Sequence, residues 1–170
     1  MAERDGDAEG DPEGDYMRSF VNGKTLDVGC GGRKLHPDAI GVDVIPEGNF
    51  NYTPSQCGAI TQASVLYDGK KLPFEDNSID VILCRHVFEH FLSPWKILDD
   101  WHRVLKPDGI AVVALPDEAL LPTIPLDPTH LHAYTPFSFF SFVERLGKFV
   151  MESSWPAPKG NSFVVLLRKQ

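Results

Sequence analysis

Short apolar runs recur along the chain and alternate with polar loops and helical stretches. Residues 79–84 (IDVILC) and 109–115 (GIAVVAL) are nearly continuous apolar runs, which is typical of strands covered on both faces of a parallel sheet. Residues 25–28, 40–45 and 64–67 form three shorter runs of the same kind, the last of them less sharply bounded. The chain is therefore expected to place five strands in one sheet.

Two helices are predicted. Ser93 and Pro94 suit the cap and the first position of a helix, and apolar residues then recur at helical spacing up to residue 105. Thr135 and Pro136 begin a second helix, which Gly147 ends. Within that second helix we expect Phe137 and Phe140 in the core, since they share the spacing of its other apolar residues.

Phe139 is expected on the exposed side of the second helix, because four phenylalanines within six residues (positions 137, 139, 140 and 142) cannot all face one side. An exposed phenylalanine there would be available to a hydrophobic acceptor or a second subunit.

Residues 148–152 and 162–168 are β-type runs on either side of a stretch rich in proline, glycine and asparagine, a composition typical of a hairpin. The whole pattern predicts an α/β, doubly wound domain with a mostly parallel central sheet and a C-terminal antiparallel strand pair. Residues 32–39 are too few, and residues 46–61 too irregular, for full helices between strands. The helices between the strands are therefore expected to be reduced. No helix is expected before Lys24 either, so a ligand pocket at the end of the sheet would be left uncovered.

The net charge of −8 is concentrated at the start of the chain. Residues 1–15 hold seven acidic residues and one basic residue, which leaves a net charge of −2 for all the others. A like-charged segment with glycine and proline and few apolar residues does not bury enough surface to fold. We therefore expect residues 1–18 to be an acidic, disordered tail and residues 19–170 to be a single domain.

Composition also excludes several classes of protein. No apolar stretch approaches the roughly 20 residues of a membrane span, and the acidic N-terminus is unlike a secretory signal or transit peptide. Three cysteines without a CxxC pair favour a reducing compartment, so a cytoplasmic location is expected. The near-neutral body lacks a Lys/Arg stripe, which disfavours nucleic acid as a partner.

Candidate ligand residues follow the first three strands. Glycines 29, 31 and 32 form a turn after the first run, Asp43 ends the second run, and Asp68 and Gly69 follow the third. In an open parallel sheet, ligands bind beyond the carboxyl ends of the strands. The dinucleotide fingerprint GxGxxG would need glycine at position 34, where this chain has lysine, and acidic Asp27 before the turn would repel a pyrophosphate. A cationic nucleoside fits better.

Five motifs in order resemble the class I S-adenosylmethionine-dependent methyltransferases. They are LDVGCGG at residues 26–32, GVDV at 41–44, LPFEDNSIDVI at 72–82, VFEHF at 87–91 and RVLKPDG at 103–109. The resemblance extends over about residues 24–168. It implies a Rossmann-like fold, S-adenosylmethionine as cofactor and methyl transfer as the reaction.

The resemblance also implies roles for particular residues. Asp27, Gly29 and Gly31 would line the amino-acid end of the cofactor, Asp43 would hold the ribose hydroxyls, and Asp68 and Gly69 would contact adenine. Cys84, Arg85 and His86 would pass beneath the methionine part and face the acceptor. For the three acidic residues, capping of a turn at the end of a strand is the alternative.

His86, Glu89 and His90 form HxxEH, which is also an inverted zinc-protease motif. That reading needs a helix through His86, whereas a strand is predicted to end there, so no metal is expected. Glu89 and His90 either bind substrate or form a buried polar pair that anchors the loop.

Residues 127–134 (DPTHLHAY) bring further polar side chains to the rim that carries His86. The candidates for contact with the acceptor are Asp127, His130, His132 and Tyr134. The alternative is that these side chains attach a long loop to the body of the domain.

The sequence as a whole predicts a methyltransferase that acts on a small molecule, with a hydroxyl oxygen of a sugar or other metabolite as acceptor and a nitrogen atom as the alternative acceptor. A hydroxyl must lose a proton during transfer, and a histidine is suited to accept it. We expect His86 or His130 to be that base, in a monomer or homodimer. The alternative is a catalytically silent domain that binds the cofactor or a protein partner.

Overall fold

The computed structural model describes residues 10–45, 48–49, 60–157 and 160–170. The strands are β1 Thr25–Val28, β2 Ile40–Asp43, β3 Val65–Leu66, β4 Ile79–Arg85, β5 Leu105–Pro116, β6 Phe149–Pro156 and β7 Ser162–Lys169. The α-helices are α1 Pro12–Arg18, α2 Pro94–Val104 and α3 Pro136–Leu146, with a short 3-10 helix at Phe88–His90. No helix in these described ranges is both long enough and apolar enough to cross a membrane.

The seven strands form one sheet in the order β3-β2-β1-β4-β5-β7-β6. Neighbours among β1 to β5 are parallel, and β7 runs antiparallel to both β5 and β6. The doubly wound, mostly parallel sheet with a C-terminal antiparallel pair is thereby confirmed. Because the chain moves outward from β1 to β3 and then returns to β4 on the other side of β1, the strand order reverses between β1 and β4. Ligands of such sheets bind at this reversal.

Both faces of the sheet are buried. On one face α2 and α3 cover the strands, with Trp101, Phe88 and Phe139 at the centre of the cluster. On the other face Met17 and Leu35 pack with valines and alanines of β4, β5 and β7. This two-sided burial explains why residues 79–84 and 109–115 read as nearly continuous apolar runs.

The connection between β1 and β2, residues 29–39, contains no helix, as the sequence predicted. Lys34 instead fastens this loop, since its Nζ donates hydrogen bonds to the carbonyls of Pro37 and Ala39, each at 2.8 Å. The prediction of no helix over residues 46–61 lies mostly outside the described residues, as does Cys57.

The assignment of residues 1–18 to a disordered tail is wrong for residues 10–18. Asp11 caps α1 by accepting a hydrogen bond from the N–H of Gly14 at 3.0 Å. Met17 is fully buried, and Glu13 is buried as well. The charge count misled because the partner of Asp11 and Glu13 is Arg85, more than 70 residues away in sequence. The expectation that no helix precedes Lys24 is wrong for the same reason, while residues 1–9 lie outside the described part.

The helix predicted from Thr135 is confirmed, but its faces are the reverse of those expected. Phe139 is 0% exposed, whereas Phe137 is 78% and Phe140 is 38% exposed. Thr135 and Ser138 form a reciprocal capping box, and Gly147 ends the helix with a left-handed backbone. With these ends, the positions that face the sheet are 139 and 143, one turn apart.

Candidate functional site

A cavity of about 300 Å³ lies beyond the carboxyl ends of β1 and β2, and the segment that follows β4 forms part of its wall. Its lining is Val28, Gly29, Val42, Asp43, Val44, Tyr67, Asp68, Val87, His90, Phe91 and Leu92. The cavity therefore lies where the strand order reverses, the position expected for a ligand of this sheet. Of the residues predicted to bind a cofactor, Gly29, Asp43 and Asp68 line it.

Asp43 is the buried carboxylate at the end of β2. Its Oδ2 accepts a hydrogen bond from the N–H of Gly31 at 2.9 Å, and its Oδ1 accepts one from the N–H of Ile45 at 3.1 Å. The structure thus joins the second strand to the glycine turn as expected. A carboxylate oxygen can accept two hydrogen bonds, so Asp43 retains acceptor capacity toward a ligand in the cavity.

Asp27 lies behind the glycine turn and does not line the cavity. The buried carboxylate accepts a hydrogen bond from the N–H of Leu35 at 2.5 Å, which holds the loop after β1 in place. Burial raises the pKa of Asp27 to about 6, although the hydrogen bond from Leu35 opposes that rise. The contacts of Asp27 in this structure therefore stabilise the loop after β1.

Gly29 has a left-handed backbone, with φ +77°. A Cβ at this position would lie 2.1 Å from Cγ2 of Val87. Glycine is therefore required so that Val87 can pack against the turn and form part of the cavity wall. The sequence suggested that a ligand approaches the backbone of this glycine closely. In the structure the side chain of Val87 makes such a close approach.

Asp68 lines the cavity, but its side chain is largely exposed and pairs with Lys70 at 2.5 Å. The hydrogen bond from Lys70 lowers the pKa of Asp68. Gly69 is outside the lining; its φ is +79°, and a Cβ there would lie 3.3 Å from the ring of Phe91.

The apolar wall of the cavity was not predicted from the sequence. It consists of Val44, Tyr67, Val87, Phe91 and Leu92. Val44 is 65% exposed and Leu92 is 81% exposed although both are apolar, so both side chains are available to an apolar ligand. Part of this wall could have been predicted from the sequence, because Val44 and Tyr67 directly follow β2 and β3.

At the end of β4, Cys84 is completely buried, and burial raises the pKa of its thiol. Arg85 points toward α1, where its guanidinium forms a bidentate ion pair with the carboxylate of Asp11, with hydrogen bonds of 2.7 and 2.8 Å. Its Nε donates a further hydrogen bond to Glu13 at 2.7 Å. Neither Cys84 nor Arg85 lines the cavity.

His86 is held in an uncommon conformation beside a buried carboxylate. Its φ is +52°, a region that few residues other than glycine adopt and that is often associated with functional sites. The Nε2 of His86 lies 2.9 Å from Oε1 of Glu13. Burial raises the pKa of Glu13, but hydrogen bonds from His86 and from two other donors outweigh it, so the pKa falls to about 2. Glu13 is therefore ionised at neutral pH.

The low pKa of Glu13 predicts a pH dependence of stability. A carboxyl whose pKa is about 2 in the folded protein and 4.5 ordinarily stabilises the fold above pH 4.5, and that contribution is lost as the pH falls toward 2. We expect Glu13→Gln to lower the free energy of unfolding by about 2–3 kcal/mol at pH 7 and by progressively less toward pH 3. Urea unfolding between pH 3 and 7 measures this. Glu144→Gln, an exposed position on α3, is the control, and curves for Glu13→Gln parallel to wild type would refute the prediction.

A second polar cluster surrounds Glu89, which is 1% exposed. The Nε2 atoms of His90 and His130 lie 4.0 and 3.8 Å from its Oε1. The Nε2 of His130 is also 3.8 Å from Oδ2 of Asp127. Burial raises the pKa of Glu89. The cluster adjoins the cavity through His90, which lines it.

The loop after β5 is attached largely through backbone groups. The carbonyl of Glu89 accepts hydrogen bonds from the N–H groups of Leu131 and His132, at 3.0 and 3.1 Å. The ring of Tyr134 packs into the core against Phe139, with the ring centroids 5.3 Å apart. Of the acceptor-binding candidates in this loop, Asp127 and His130 join the cluster at Glu89, whereas Tyr134 does not.

Comparison with known proteins agrees with this geometry. A family model described as a methyltransferase domain matches residues 26–113. An uncharacterized methyltransferase of Mycolicibacterium vanbaalenii is 40% identical over 62 residues, which cover 36% of this chain and 23% of the relative. One from Mycobacterium leprae is 34% identical over 99 residues, 52% of this chain and 35% of the relative. The chain thus matches only about a quarter to a third of the length of these relatives.

Solved structures share the fold over nearly the whole chain. A possible histamine N-methyltransferase from Thermotoga maritima has a TM-score of 0.70 at 14% identity, covering 94% of this chain and 88% of the other. A putative methyltransferase from Bacillus halodurans has a TM-score of 0.66 at 16% identity, with 92% and 98% covered. A chain from a Haloferax volcanii complex of the Trm112 methyltransferase activator with a putative methyltransferase has a TM-score of 0.67 at 13% identity. The match covers 91% of this chain and 88% of the other.

The sheet order, the cavity at the strand reversal and the family match to residues 26–113 lead to one assignment. The chain belongs to the methyltransferase domain family and has the Rossmann-like fold of the class I S-adenosylmethionine-dependent methyltransferases.

Proposed function

We propose that this protein transfers a methyl group from S-adenosylmethionine to a hydroxyl oxygen of a small molecule, such as a sugar or another hydroxylated metabolite. The observation that carries the proposal is the cavity at the strand reversal, whose lining includes Asp43 and His90. A carboxylate that can recognise a nucleoside thus lies on the same rim of the sheet as the loop after β4, which carries His86 and His90.

The residues of the cavity fit a nucleoside cofactor. Asp43 has acceptor capacity toward ribose hydroxyls, and the exposed apolar side chains of Val44 and Leu92 suit the faces of adenine. A volume of about 300 Å³ is within the range of small-ligand pockets. When bound, S-adenosylmethionine would supply a methyl group on a positively charged sulfur.

The protein's first task is alignment of the acceptor oxygen with the methyl carbon and the sulfur. Correct alignment of reactants lowers a barrier by roughly 7–11 kcal/mol in favourable cases. The closely packed wall suits this task, because Val87 is packed against Gly29 and Phe91 lies against Gly69.

We assign the proton-accepting role to His86. Its Nε2 faces the ionised carboxylate of Glu13, so Nε2 carries the hydrogen and Nδ1 retains the lone pair. The carboxylate would also stabilise the imidazolium formed when Nδ1 takes a proton from the acceptor hydroxyl. His130 is the other candidate predicted from the sequence, and its ring lies in the cluster around Glu89 instead.

The two cysteines of the described ranges, Cys30 and Cys84, are buried free thiols. We propose a cytoplasmic location on the sequence argument alone, since three cysteines without a CxxC pair favour a reducing compartment.

The alternative is a silent domain that binds the cofactor or a protein partner without catalysis. One observation favours it: α1 occupies the end of β4, where Arg85 and His86 are engaged by Asp11 and Glu13. One protein of similar fold was solved in complex with an activator. A silent domain would bind S-adenosylmethionine or a partner yet transfer no methyl group.

A methyl-acceptance screen tests the proposal. Purified protein is incubated with S-adenosylmethionine carrying a labelled methyl group and with panels of hydroxylated metabolites, amines, proteins and RNA. We expect label on a hydroxyl oxygen of a small molecule. Label only on nitrogen or on a macromolecule would contradict the proposed acceptor, and binding of cofactor without transfer to any panel would favour the silent domain.

Replacing Asp43 is expected to lower the affinity for the cofactor. In Asp43→Asn the anionic acceptor becomes a neutral amide, and charge-assisted hydrogen bonds exceed neutral ones by about 1–1.5 kcal/mol. We expect the Kd for S-adenosylmethionine to rise roughly tenfold. Asp38→Asn, at an exposed aspartate between β1 and β2, is the matched control. Equal affinities for Asp43→Asn and the wild type would remove Asp43 from the binding site.

A further inference from the structure

Glu89 has two carboxylate oxygens that are buried and accept no hydrogen bond from the described residues. The Nε2 atoms of His90 and His130 lie 4.0 and 3.8 Å from its Oε1. These distances are too long for hydrogen bonds. A buried carboxylate without hydrogen bonds is costly, so the arrangement calls for a cation that the carboxylate and both imidazoles can share.

The three side chains are close enough to bind one ion. One ligand atom each from Glu89, His90 and His130 lies within 4.8 Å of the other two. A tetrahedral Zn²⁺ with ligand distances of about 2.1 Å needs ligand atoms roughly 3.4 Å apart. Side-chain rotations that bring the three atoms to this separation would place them around one ion and leave a fourth position open.

The ring of His90 is already oriented for this role. Its Nδ1 lies 3.0 Å from the carbonyl oxygen of Thr129, so Nδ1 donates the hydrogen and Nε2 presents its lone pair toward Glu89. Metal-binding histidines commonly have their second nitrogen hydrogen-bonded in this way to a carbonyl or carboxylate. Near the other imidazole, Oδ2 of Asp127 lies 3.8 Å from Nε2 of His130. Asp127 therefore adds negative charge beside that nitrogen of His130.

We propose that Glu89, His90 and His130 bind one divalent transition-metal ion, for which Zn²⁺ is the probe. Two imidazoles with one carboxylate form a ligand set used by zinc enzymes that keep a coordination position open. The set differs from the HxxEH motif in the sequence, because His86 faces Glu13 at 2.9 Å and is replaced by His130 from the loop after β5. Since His90 lines the cavity, the open position would be available to an oxygen or nitrogen atom of the acceptor.

The test measures binding of the metal alone, so its result is independent of methyl transfer. Full-length, untagged protein is freed of metal with a chelator and titrated with Zn²⁺ by calorimetry. Co²⁺ is then bound in its place, and visible absorption reports on its coordination. We expect one equivalent of Zn²⁺ with micromolar or tighter Kd, and a Co²⁺ spectrum typical of four or five ligands.

Variants locate the site. Glu89→Gln and His130→Asn are expected to weaken Zn²⁺ binding at least tenfold and to abolish the Co²⁺ spectrum. His36→Ala, in the loop between β1 and β2, should bind as the wild type does. Circular dichroism establishes that each variant is folded. Absence of stoichiometric binding by the folded wild type, or unchanged binding by both Glu89→Gln and His130→Asn, would overturn the proposal.

Discussion

Replacing His86 by asparagine is expected to lower kcat for methyl transfer by a factor of roughly 10²–10⁴, the usual contribution of a general base. Asparagine tolerates the left-handed backbone at position 86, where φ is +52°, so the turn at the end of β4 should persist. The amide has no basic nitrogen to take the proton of the acceptor hydroxyl. The Kd for S-adenosylmethionine should change little, because His86 does not line the cavity.

Steady-state kinetics with the acceptor found by screening, together with cofactor titration, separate these effects. His102→Asn, a surface histidine of α2 whose Nε2 meets the carbonyl of Gln170 at 3.1 Å, is the control. Glu13→Gln should also lower kcat, since it removes the charge that stabilises the imidazolium. Turnover undiminished in both His86→Asn and His130→Ala would refute a histidine base in this protein.

Phe139→Ala is expected to lower the free energy of unfolding by about 3–5 kcal/mol, the usual cost of truncating a buried aromatic side chain. Phe139 is fully buried, and its ring lies 5.3 Å from Tyr134, 5.5 Å from Phe88 and 6.4 Å from Phe163 between ring centroids. These contacts join α3 to the loop after β5 and to the sheet, so their loss should affect the whole domain.

Phe137→Ala is the matched variant for this comparison, two residues away on the exposed side of α3. With 78% of Phe137 exposed, we expect a change of at most about 0.5 kcal/mol. Urea unfolding followed by fluorescence and circular dichroism measures both. Equal destabilisation by the two substitutions, or a larger effect at Phe137, would reverse the assignment of the helix faces.

The fold could be read from the sequence wherever burial leaves a local pattern. Strands β4 and β5 are buried on both faces, so each appears as an apolar run. The ends of α3 follow from Thr135 and Gly147, whose capping chemistry is local. The inward face of α3 could not be deduced in the same way, because several phenylalanines could each form an apolar face of the helix. Packing against Phe88, Tyr134 and Phe163 places Phe139 inside.

The site was predictable where its residues lie at or just after the carboxyl end of a strand, as Gly29, Asp43 and Asp68 do. It was not predictable where two distant segments must meet. Glu13 reaches His86 across 73 positions of sequence, and its acidic surroundings indicated a tail. His130 approaches Glu89 from the loop after β5, a contact between distant segments that the local spacing of the HxxEH motif does not indicate.

Binding of S-adenosylmethionine by the wild-type protein tests the central claim most directly. Calorimetric titration of the full chain is expected to show one site of micromolar Kd that S-adenosylhomocysteine also occupies, with weaker binding by Asp43→Asn. Folded protein that takes up neither compound at millimolar concentration would contradict the assignment of this cavity to the cofactor.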